Sequence, residues 1–403
     1  MFSRWAEYVK RMGPAWIISA VACGPATLAS VSRAGAAYGF DLLWVVVLSA
    51  VFGATAQYLA ARVGVIEGRG IVASTERHLG GVWAWLLAID AVLATYLAAM
   101  VLMKALVGVT GLVTGIKGPW WGLLYAALFS AFLVRGGYRW FEILCKSIVG
   151  FMVLCFLATA WQAHIPAGEF ISGLIPRLPG GLETALMTAA IMGGAVHITI
   201  IGMHTYTVNS RGWGRRDLGL ARFDTMLSMG VAFGLYSLAI FSVAAAVLHP
   251  AGIKIKGAAE AALALGPLLG RGAMAVFLTG LWAATLSTIM PTFLAGAYFI
   301  ADRLHWPTDT GDRRFQVLIV AGVLLSALGP FLKGGFFLLL PLMLALGLCG
   351  TPPILALILY LLNRRQVAGG LRNSLALNLM GGLTLLVTLV LAVRFILSRL
   401  GIF

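Results

Sequence analysis

The chain has 403 residues, of which 61% are hydrophobic and only 11% are charged, and its mean hydropathy is +0.96. No ordinary soluble domain has this composition, so the chain is predicted to be an integral membrane protein. The net charge of +15 would also suit a nucleic-acid-binding protein, but the basic residues lie in short loops between apolar segments. Membrane topology explains them better, and we expect no nucleic acid partner.

Eleven apolar segments follow one another, most of them long enough for a hydrocarbon core of ~30 Å at ~1.5 Å per residue. We number them spans 1 to 11: 14–34, 42–61, 82–112, 119–134, 143–163, 185–208, 223–248, 268–301, 315–331, 335–363 and 374–398. Span 1 is too long and too interrupted for a signal peptide. Basic residues are concentrated in alternate loops, beginning with the N-terminal segment. This pattern predicts a protein of the plasma or inner membrane with a cytoplasmic N-terminus and an external C-terminus.

Span 1 is interrupted in its middle by Gly24-Pro25. Proline removes a backbone donor and clashes with the preceding turn, so the helix is predicted to break there. In hydrocarbon, a broken helix is tolerated only where its freed backbone groups face protein, water or a ligand. The break therefore indicates a transport site at mid-depth, with a plain proline kink as the structural alternative.

Span 6 is also interrupted, because Gly193, Gly194 and Gly202 lie within it. Two interrupted spans that lie five apart favour two halves of five spans with opposite orientations. The predicted halves are 14–163 and 185–363, and an additional helix follows at 374–398, all within one transmembrane domain.

Four stretches resemble the Nramp (natural resistance-associated macrophage protein) divalent-metal transporters. They are DLLWVVVLSAVFGATAQYLAARVGVIEGRG in span 2, GGYRWFE before span 5, GLIPRLP before span 6 and AAEAALALGPLLG before span 8. The resemblance covers nearly the whole chain. It implies an all-α membrane protein with the LeuT/APC-type inverted repeat, five plus five spans and one extra helix. It also implies a site between broken spans 1 and 6.

Three family motifs are altered here. The family's Asp-Pro-Gly-Asn of span 1 stands as Gly24-Pro25-Ala26-Thr27, and its Met-Pro-His of span 6 aligns with His197-Ile198-Thr199. The acidic pair of the family's span 3 falls near Ala99 and Leu102. The carboxylate, amide and thioether that would bind a metal are therefore missing, and we expect no metal site.

Neutral or cationic donors in these positions favour an anion as the substrate. Two half-helix N-termini, each worth roughly +0.5 charge, are expected to point at the cavity. Lys333, which aligns with a glutamine of the family when residues are counted back from Pro341, would add a positive charge. The predicted substrate-binding residues are Gly24, Ala26, Thr27, Gly194, His197, Thr199 and Lys333.

A small pocket with threonine hydroxyls and an imidazole suits bicarbonate, and the altered motifs resemble the Nramp-related bicarbonate transporters. We therefore predict a secondary bicarbonate transporter that works by alternating access. The alternative is a divalent metal transporter for Mg²⁺ or Mn²⁺, and a membrane sensor comes third. An enzyme is the least favoured class and is not predicted, because no paired carboxylates or nucleophile–base pairs lie near mid-span.

Coupling to an ion rests on fewer residues. Thr285, Ser287 and Thr288 of span 8 offer hydroxyls to Na⁺, although such hydroxyls commonly bond the preceding helical turn. His204, which matches a second family histidine, would serve H⁺. Lys104, deep in span 3, is either a gating residue or half of an ion pair. We predict no cofactor beyond such a coupling ion, and a monomer.

Overall fold

The computed structural model describes residues 2–135, a few positions between 143 and 162, residues 165–265 and residues 270–402. Within these residues every regular element is a helix, and there is no strand. Eight helices are long and apolar enough to cross a membrane, and the broken span 1 makes nine among the described residues. Most of span 5, with the GGYRWFE motif before it, lies outside the described residues.

The observed helices agree with the predicted spans to within eight residues at either end, the largest difference being at the start of span 7. They are Pro14–Ala22 and Pro25–Tyr38 (span 1), Leu43–Glu67 (span 2), Gly81–Thr114 (span 3), Trp120–Arg135 (span 4), Leu182–Ala195 and Ile198–Ser210 (span 6), Arg215–Leu248 (span 7), Ala273–Arg303 (span 8), Arg313–Ser326 (span 9), Phe336–Cys349 and Thr351–Asn363 (span 10), and Leu375–Arg399 (span 11). A short linker helix, Ile71–Leu79, joins spans 2 and 3.

The loops lie at two opposite ends of the bundle, and polar contacts link the loops at each end. We call one of them the basic end; it contains the N-terminal helix, the linker helix and the loops after spans 6, 8 and 10. Contacts at the basic end are Arg11–Asp217 (2.7 Å), Arg303–Glu76 (3.3 Å) and Arg62 with the carbonyl of Leu371. Contacts at the opposite end are Arg33–Glu183 (3.4 Å), Arg177–Asp41 (3.4 Å) and Arg394 with the carbonyl of Pro179 (2.6 Å). The alternation of loops predicted from the basic residues is therefore seen in the bundle.

Spans 1 and 6 lie at the centre of the bundle. All of the most apolar window of span 6 is buried, whereas only 33% of that of span 11 and 39% of that of span 9 are buried. The central spans are rich in Gly, Ala, Ser and Thr, and such small residues let helix backbones approach closely in a membrane.

The beginning of span 1 is fixed by a carboxylate of span 7. Buried Asp224 accepts hydrogen bonds from the main-chain N–H groups of Gly13 (3.1 Å) and Ala15 (2.9 Å). A negative charge at a helix N-terminus satisfies free N–H groups and interacts favourably with the helix dipole. The first half of span 1 is thereby anchored at the basic end.

Candidate substrate site

The break in span 1 lies at Cys23 and Gly24. The two halves of the span are bent by 47°, and Pro25 begins the second half, where its missing N–H is not needed. The freed carbonyls of the first half are occupied: the Thr27 hydroxyl donates to Ala22 (2.5 Å), and the Gly24 N–H donates to Val21 (3.2 Å). No side chain caps the second half.

The break in span 6 lies at Val196 and His197, and here a side chain does cap the helix. His197 Nδ1 accepts a hydrogen bond from the main-chain N–H of Thr199 at 3.2 Å. Since Nδ1 is the acceptor, the proton of the neutral ring is on Nε2. The carbonyl of Val196 accepts a hydrogen bond from Thr351 of span 10.

The imidazole of His197 packs directly on Gly347 of span 10. A methyl group placed on Gly347 would lie 1.6 Å from Nε2, so only glycine leaves room for the ring. Nε2 is buried and makes no hydrogen bond with the described residues. Because Nε2 carries the proton, His197 in this state is a helix cap rather than a metal ligand.

A small cavity, which we call the central cavity, lies where the two breaks meet. Its volume is about 30 Å³, which is room for about two water-sized particles. It is lined by Val21, Ala26, Ala98, Leu102, Gly194, His197, Thr199, Ile200, Thr288, Thr292, Met343 and Leu344. None of these carries a formal charge when His197 is neutral.

Four of the predicted substrate-binding residues line the central cavity: Ala26, Gly194, His197 and Thr199. Thr27 and Gly24 lie beside it. Thr27 Oγ1 would be 2.6 Å from a methyl group on Gly194, and a methyl group on Gly24 would be 2.4 Å from Thr288 Oγ1. The sequence therefore places six of its seven predicted residues at or beside one cavity.

Lys333 requires a correction, because it is exposed in the loop before span 10 and does not line the cavity. The helix begins at Phe336, three residues after Lys333, and Phe336 precedes Met343 by seven residues, which is ~10 Å of helical rise. Its positive charge is therefore remote from the breaks.

The residues predicted for coupling lie on three different spans: Thr285, Ser287 and Thr288 on span 8, His204 on span 6 and Lys104 on span 3. Thr288 lines the central cavity, and its hydroxyl lies 3.3 Å from the carbonyl of Ala20 in span 1. Thr285 donates to Leu281 (2.7 Å) and Ser287 to Ala284 (2.9 Å), so both bond the preceding turn of span 8.

The other two coupling candidates lie away from the central cavity. His204 is buried, with Nδ1 3.1 Å from Gln57 Oε1 of span 2. Lys104 donates to the carbonyls of Pro330 (3.2 Å) and Leu332 (2.6 Å). It caps the chain between spans 9 and 10 and forms no ion pair with the described residues.

Sequence reasoning missed several residues of the site. Thr292 follows Thr288 by one helical turn and therefore lies on the same face of span 8. This spacing could have identified Thr292 as a site residue. Met343 and Gly347 are one turn apart on span 10, but an apolar residue and a glycine in an apolar helix give no such signal. Within the described residues, no group of three or more His, Cys, Asp or Glu side chains is placed to hold a metal ion.

Comparisons with known proteins identify the family and the fold. The family model described as "Natural resistance-associated macrophage protein-like" matches residues 15–398. The "Divalent metal cation transporter MntH" of Acidiphilium cryptum is 28% identical over 402 residues, covering 94% of this chain and 88% of that protein. A crystal structure of the Eremococcus coleocola manganese transporter superposes with a TM-score of 0.77 at 16% identity, covering 99% of this chain and 88% of the other. The inward-facing structure of Mhp1 gives 0.59 at 16% identity, covering 96% and 90%. The predicted LeuT/APC-type fold is confirmed.

The prediction of bicarbonate as substrate and partner is wrong. The relatives carry the name of divalent metal cation transporters, and the similar structure is that of a manganese transporter. The argument for an anion counted the positive N-terminal ends at the two breaks. Each break also exposes the negative C-terminal end of the preceding half-helix, whose carbonyls suit a cation.

Proposed function

The chain belongs to the Nramp family of membrane transporters, and on this basis we propose that it carries a divalent metal cation, Mg²⁺ or Mn²⁺, by alternating access at the central cavity. The size of the cavity carries the proposal: at about 30 Å³ it suits a single ion that has lost most of its water. Its position between two broken helices at the centre of the bundle supports the same assignment.

The proposed ligands are neutral oxygen atoms. Thr199 and Thr292 line the cavity, and a hydroxyl that donates one hydrogen bond keeps lone pairs for a cation. The carbonyls of Val21 and Ala22 lie at the end of the first half of span 1. Oxygen ligands of this kind suit Mg²⁺ and Mn²⁺.

A site without a carboxylate has a consequence for affinity. Anionic ligands offset the loss of water around a dication, and neutral oxygens offset it less. We therefore expect weak binding and rapid release, so that uptake saturates only at high metal concentration.

Met343 is proposed to decide between the two metals. Its side chain lines the cavity, and a thioether is a soft ligand that favours transition metals over Mg²⁺. Leucine has a similar volume and no sulfur, so Met343→Leu is expected to reduce Mn²⁺ uptake and to leave Mg²⁺ uptake nearly unchanged.

For coupling, we propose Na⁺ at Thr288 or H⁺ at His204. The Thr288 hydroxyl lies between spans 8 and 1, and His204 Nε2 is buried without a hydrogen-bond partner among the described residues. A sodium gradient that accelerates uptake, an effect lost in Thr288→Ala, would support the first. Acceleration by a pH gradient, lost in His204→Gln, would support the second.

For orientation, we propose that the basic end is cytoplasmic and that the protein resides in the cell membrane. The basic residues of the loops support this assignment. A membrane-impermeant maleimide should then label a cysteine introduced at Lys117 in intact cells, and one at Gly214 only after the cells are opened. The reverse pattern would contradict the orientation.

The transport proposal is tested with purified protein in liposomes that contain a metal-sensitive dye. We expect Mn²⁺ or Mg²⁺ to enter faster than into protein-free liposomes, with saturation at high concentration. Metal entry at the protein-free rate for both ions, at any gradient of Na⁺ or H⁺, would contradict the proposal.

A further inference from the structure

A second and much larger cavity opens on the side of the bundle near the basic end. This lateral cleft has a volume of about 610 Å³, within the range of small-molecule sites. It is formed by the linker helix, span 3 and the second half of span 10, and is lined by Thr75, Leu79, Trp83, Leu86, Leu87, Asp90, Pro353, Ala356, Leu357 and Tyr360. It shares no residue with the lining of the central cavity.

Asp90 is the only charged residue among those that line the lateral cleft. Its carboxylate makes no hydrogen bond and no ion pair with any residue that the structure describes. Oδ2 lies against span 10, where a methyl group on Gly350 would be 2.5 Å away. A carboxylate within a membrane span is costly and usually faces a cavity or a partner.

One end of the cleft is polar, and the walls along the rest of it are mainly apolar. Asp90 and Gly350 form one end, and Tyr360 lies ten residues further along span 10, which is ~15 Å of helix. Trp83, whose exposed fraction is 58%, lies at the other end with Tyr360. The guanidinium of Arg364 stacks over the Tyr360 ring at 4.6 Å, at the end remote from Asp90. That of Arg303 stacks over Trp85 of span 3 at 4.3 Å and is paired with Glu76.

We propose that the lateral cleft binds an amphipathic organic monocation, with a primary ammonium group on Asp90 and an aromatic or alkyl body along the apolar walls. The carboxylate of Asp90 favours a cationic ligand, and the apolar lining favours a ligand that is mostly hydrocarbon. A divalent metal is disfavoured, because one carboxylate offers too few ligands and no second acidic residue lines the cleft. Trp83 provides an aromatic face against which the uncharged body of the ligand can pack.

The test uses dansylcadaverine, a primary alkylammonium with an aromatic group, and the purified full-length protein in detergent. We expect saturable binding, seen as an increase in dansyl fluorescence. The N-acetyl derivative has the same body without the charge, and should bind about tenfold more weakly or worse, because hydrogen bonds to charged groups are the strong ones. This comparison needs no variant.

Three variants locate the site. Asp90→Asn keeps the shape of the side chain and should also weaken binding of the amine about tenfold, to the level of the acetylated compound. Ala356→Trp places a large ring on an exposed wall of the cleft and should abolish binding of both compounds. Asp309→Asn, a change of an exposed loop carboxylate, serves as the matched control and should leave binding unchanged.

Equal affinity for the amine and its acetylated form would overturn the proposal, as would unchanged binding in Asp90→Asn. Binding that survives Ala356→Trp would place the ligand elsewhere and would equally overturn it. These results do not depend on metal transport, so they are distinct from a failure of the transport proposal.

Discussion

The breaks in spans 1 and 6 occupy corresponding positions in the two halves of the fold, yet different contacts hold them. In span 1, proline begins the second half without a side-chain cap, and hydroxyls of Thr27 and Thr288 reach the carbonyls that the break exposes. In span 6, the imidazole of His197 caps the second half, and its ring fits against a glycine of span 10.

Because different contacts hold them, the two breaks should differ in how well they tolerate substitutions. At the break in span 1, the atom nearest to a methyl group added on Gly24 would be the hydroxyl oxygen of Thr288. A substitution of Thr288 can remove that atom. Around span 6, a ring is held against the backbone of span 10, which cannot give way without moving a whole helix. We therefore expect the break in span 6 to be the more sensitive of the two.

The largest effect is expected for Gly347→Ala. The added methyl group would lie 1.6 Å from His197 Nε2, so either the cap of span 6 or the position of span 10 must be lost. Overpacking of this kind costs about 1–3 kcal/mol. Metal uptake in liposomes should fall close to the protein-free rate, and the unfolding temperature should fall. Gly280→Ala, also within a span but with nothing within 4 Å, is the matched control.

Gly24→Ala should also impair uptake, but a second change should partly restore it. The methyl group would lie 2.4 Å from Thr288 Oγ1, and Thr288→Ala removes that atom. Uptake by the double variant should exceed uptake by Gly24→Ala alone. A double variant no better than Gly24→Ala would show that the clash with the Val21 carbonyl, at 2.9 Å, decides the effect.

A smaller effect is expected at His197, and its pattern separates capping from metal binding. Asparagine is a good N-cap residue, whereas replacing a cap by alanine costs about 0.5–2 kcal/mol. If His197 acts as a cap, His197→Asn should retain most of the uptake and thermal stability that His197→Ala loses. Equal loss of Mn²⁺ uptake in both variants, with thermal stability kept only by asparagine, would indicate instead that the imidazole binds the metal.

The smallest effects are expected for the hydroxyls that reach carbonyls across spans. Thr351→Val removes the hydrogen bond to Val196, and a typical hydrogen bond contributes about 0.5–1.5 kcal/mol net. Thr288→Val should cost less, because its hydroxyl lies nearer to Ala284 (2.8 Å) than to Ala20 (3.3 Å). The unfolding temperatures of the two variants, compared with wild type, show which substitution destabilises the protein more. A larger decrease for Thr288→Val would contradict the expectation that the break in span 6 is the more sensitive one.

The fold could be predicted from the sequence because its signals are local. Gly24-Pro25 breaks a helix wherever it stands, and long apolar runs identify the spans. His197 and Thr199 were found because polar residues are rare in such runs. The contacts made by Gly347, Thr351 and Asp224 could not be predicted, because each depends on which distant span lies next to it.

The substrate could not be read from the side chains for a related reason. Each carbonyl oxygen at a break has two lone pairs, so it can bind a cation beside the hydrogen bond that it already accepts. On the proposed function, the loss of a carboxylate therefore lowers affinity without removing the site. Lys333 was counted as a ligand by its distance from Pro341 in the sequence, but the loop before span 10 carries it away from the cavity.

The most direct test of the account fills the central cavity by one methyl group. Gly194→Ala would place that group 2.6 Å from Thr27 Oγ1 and 3.7 Å from Leu344 Cδ1, within a cavity of about 30 Å³. Mn²⁺ and Mg²⁺ uptake into liposomes is measured for wild type, Gly194→Ala and the control Gly280→Ala. The account predicts uptake by wild type and the control, and nearly none by Gly194→Ala when the variant is folded. Undiminished uptake by a folded Gly194→Ala protein would contradict the claim that the ion passes through this cavity.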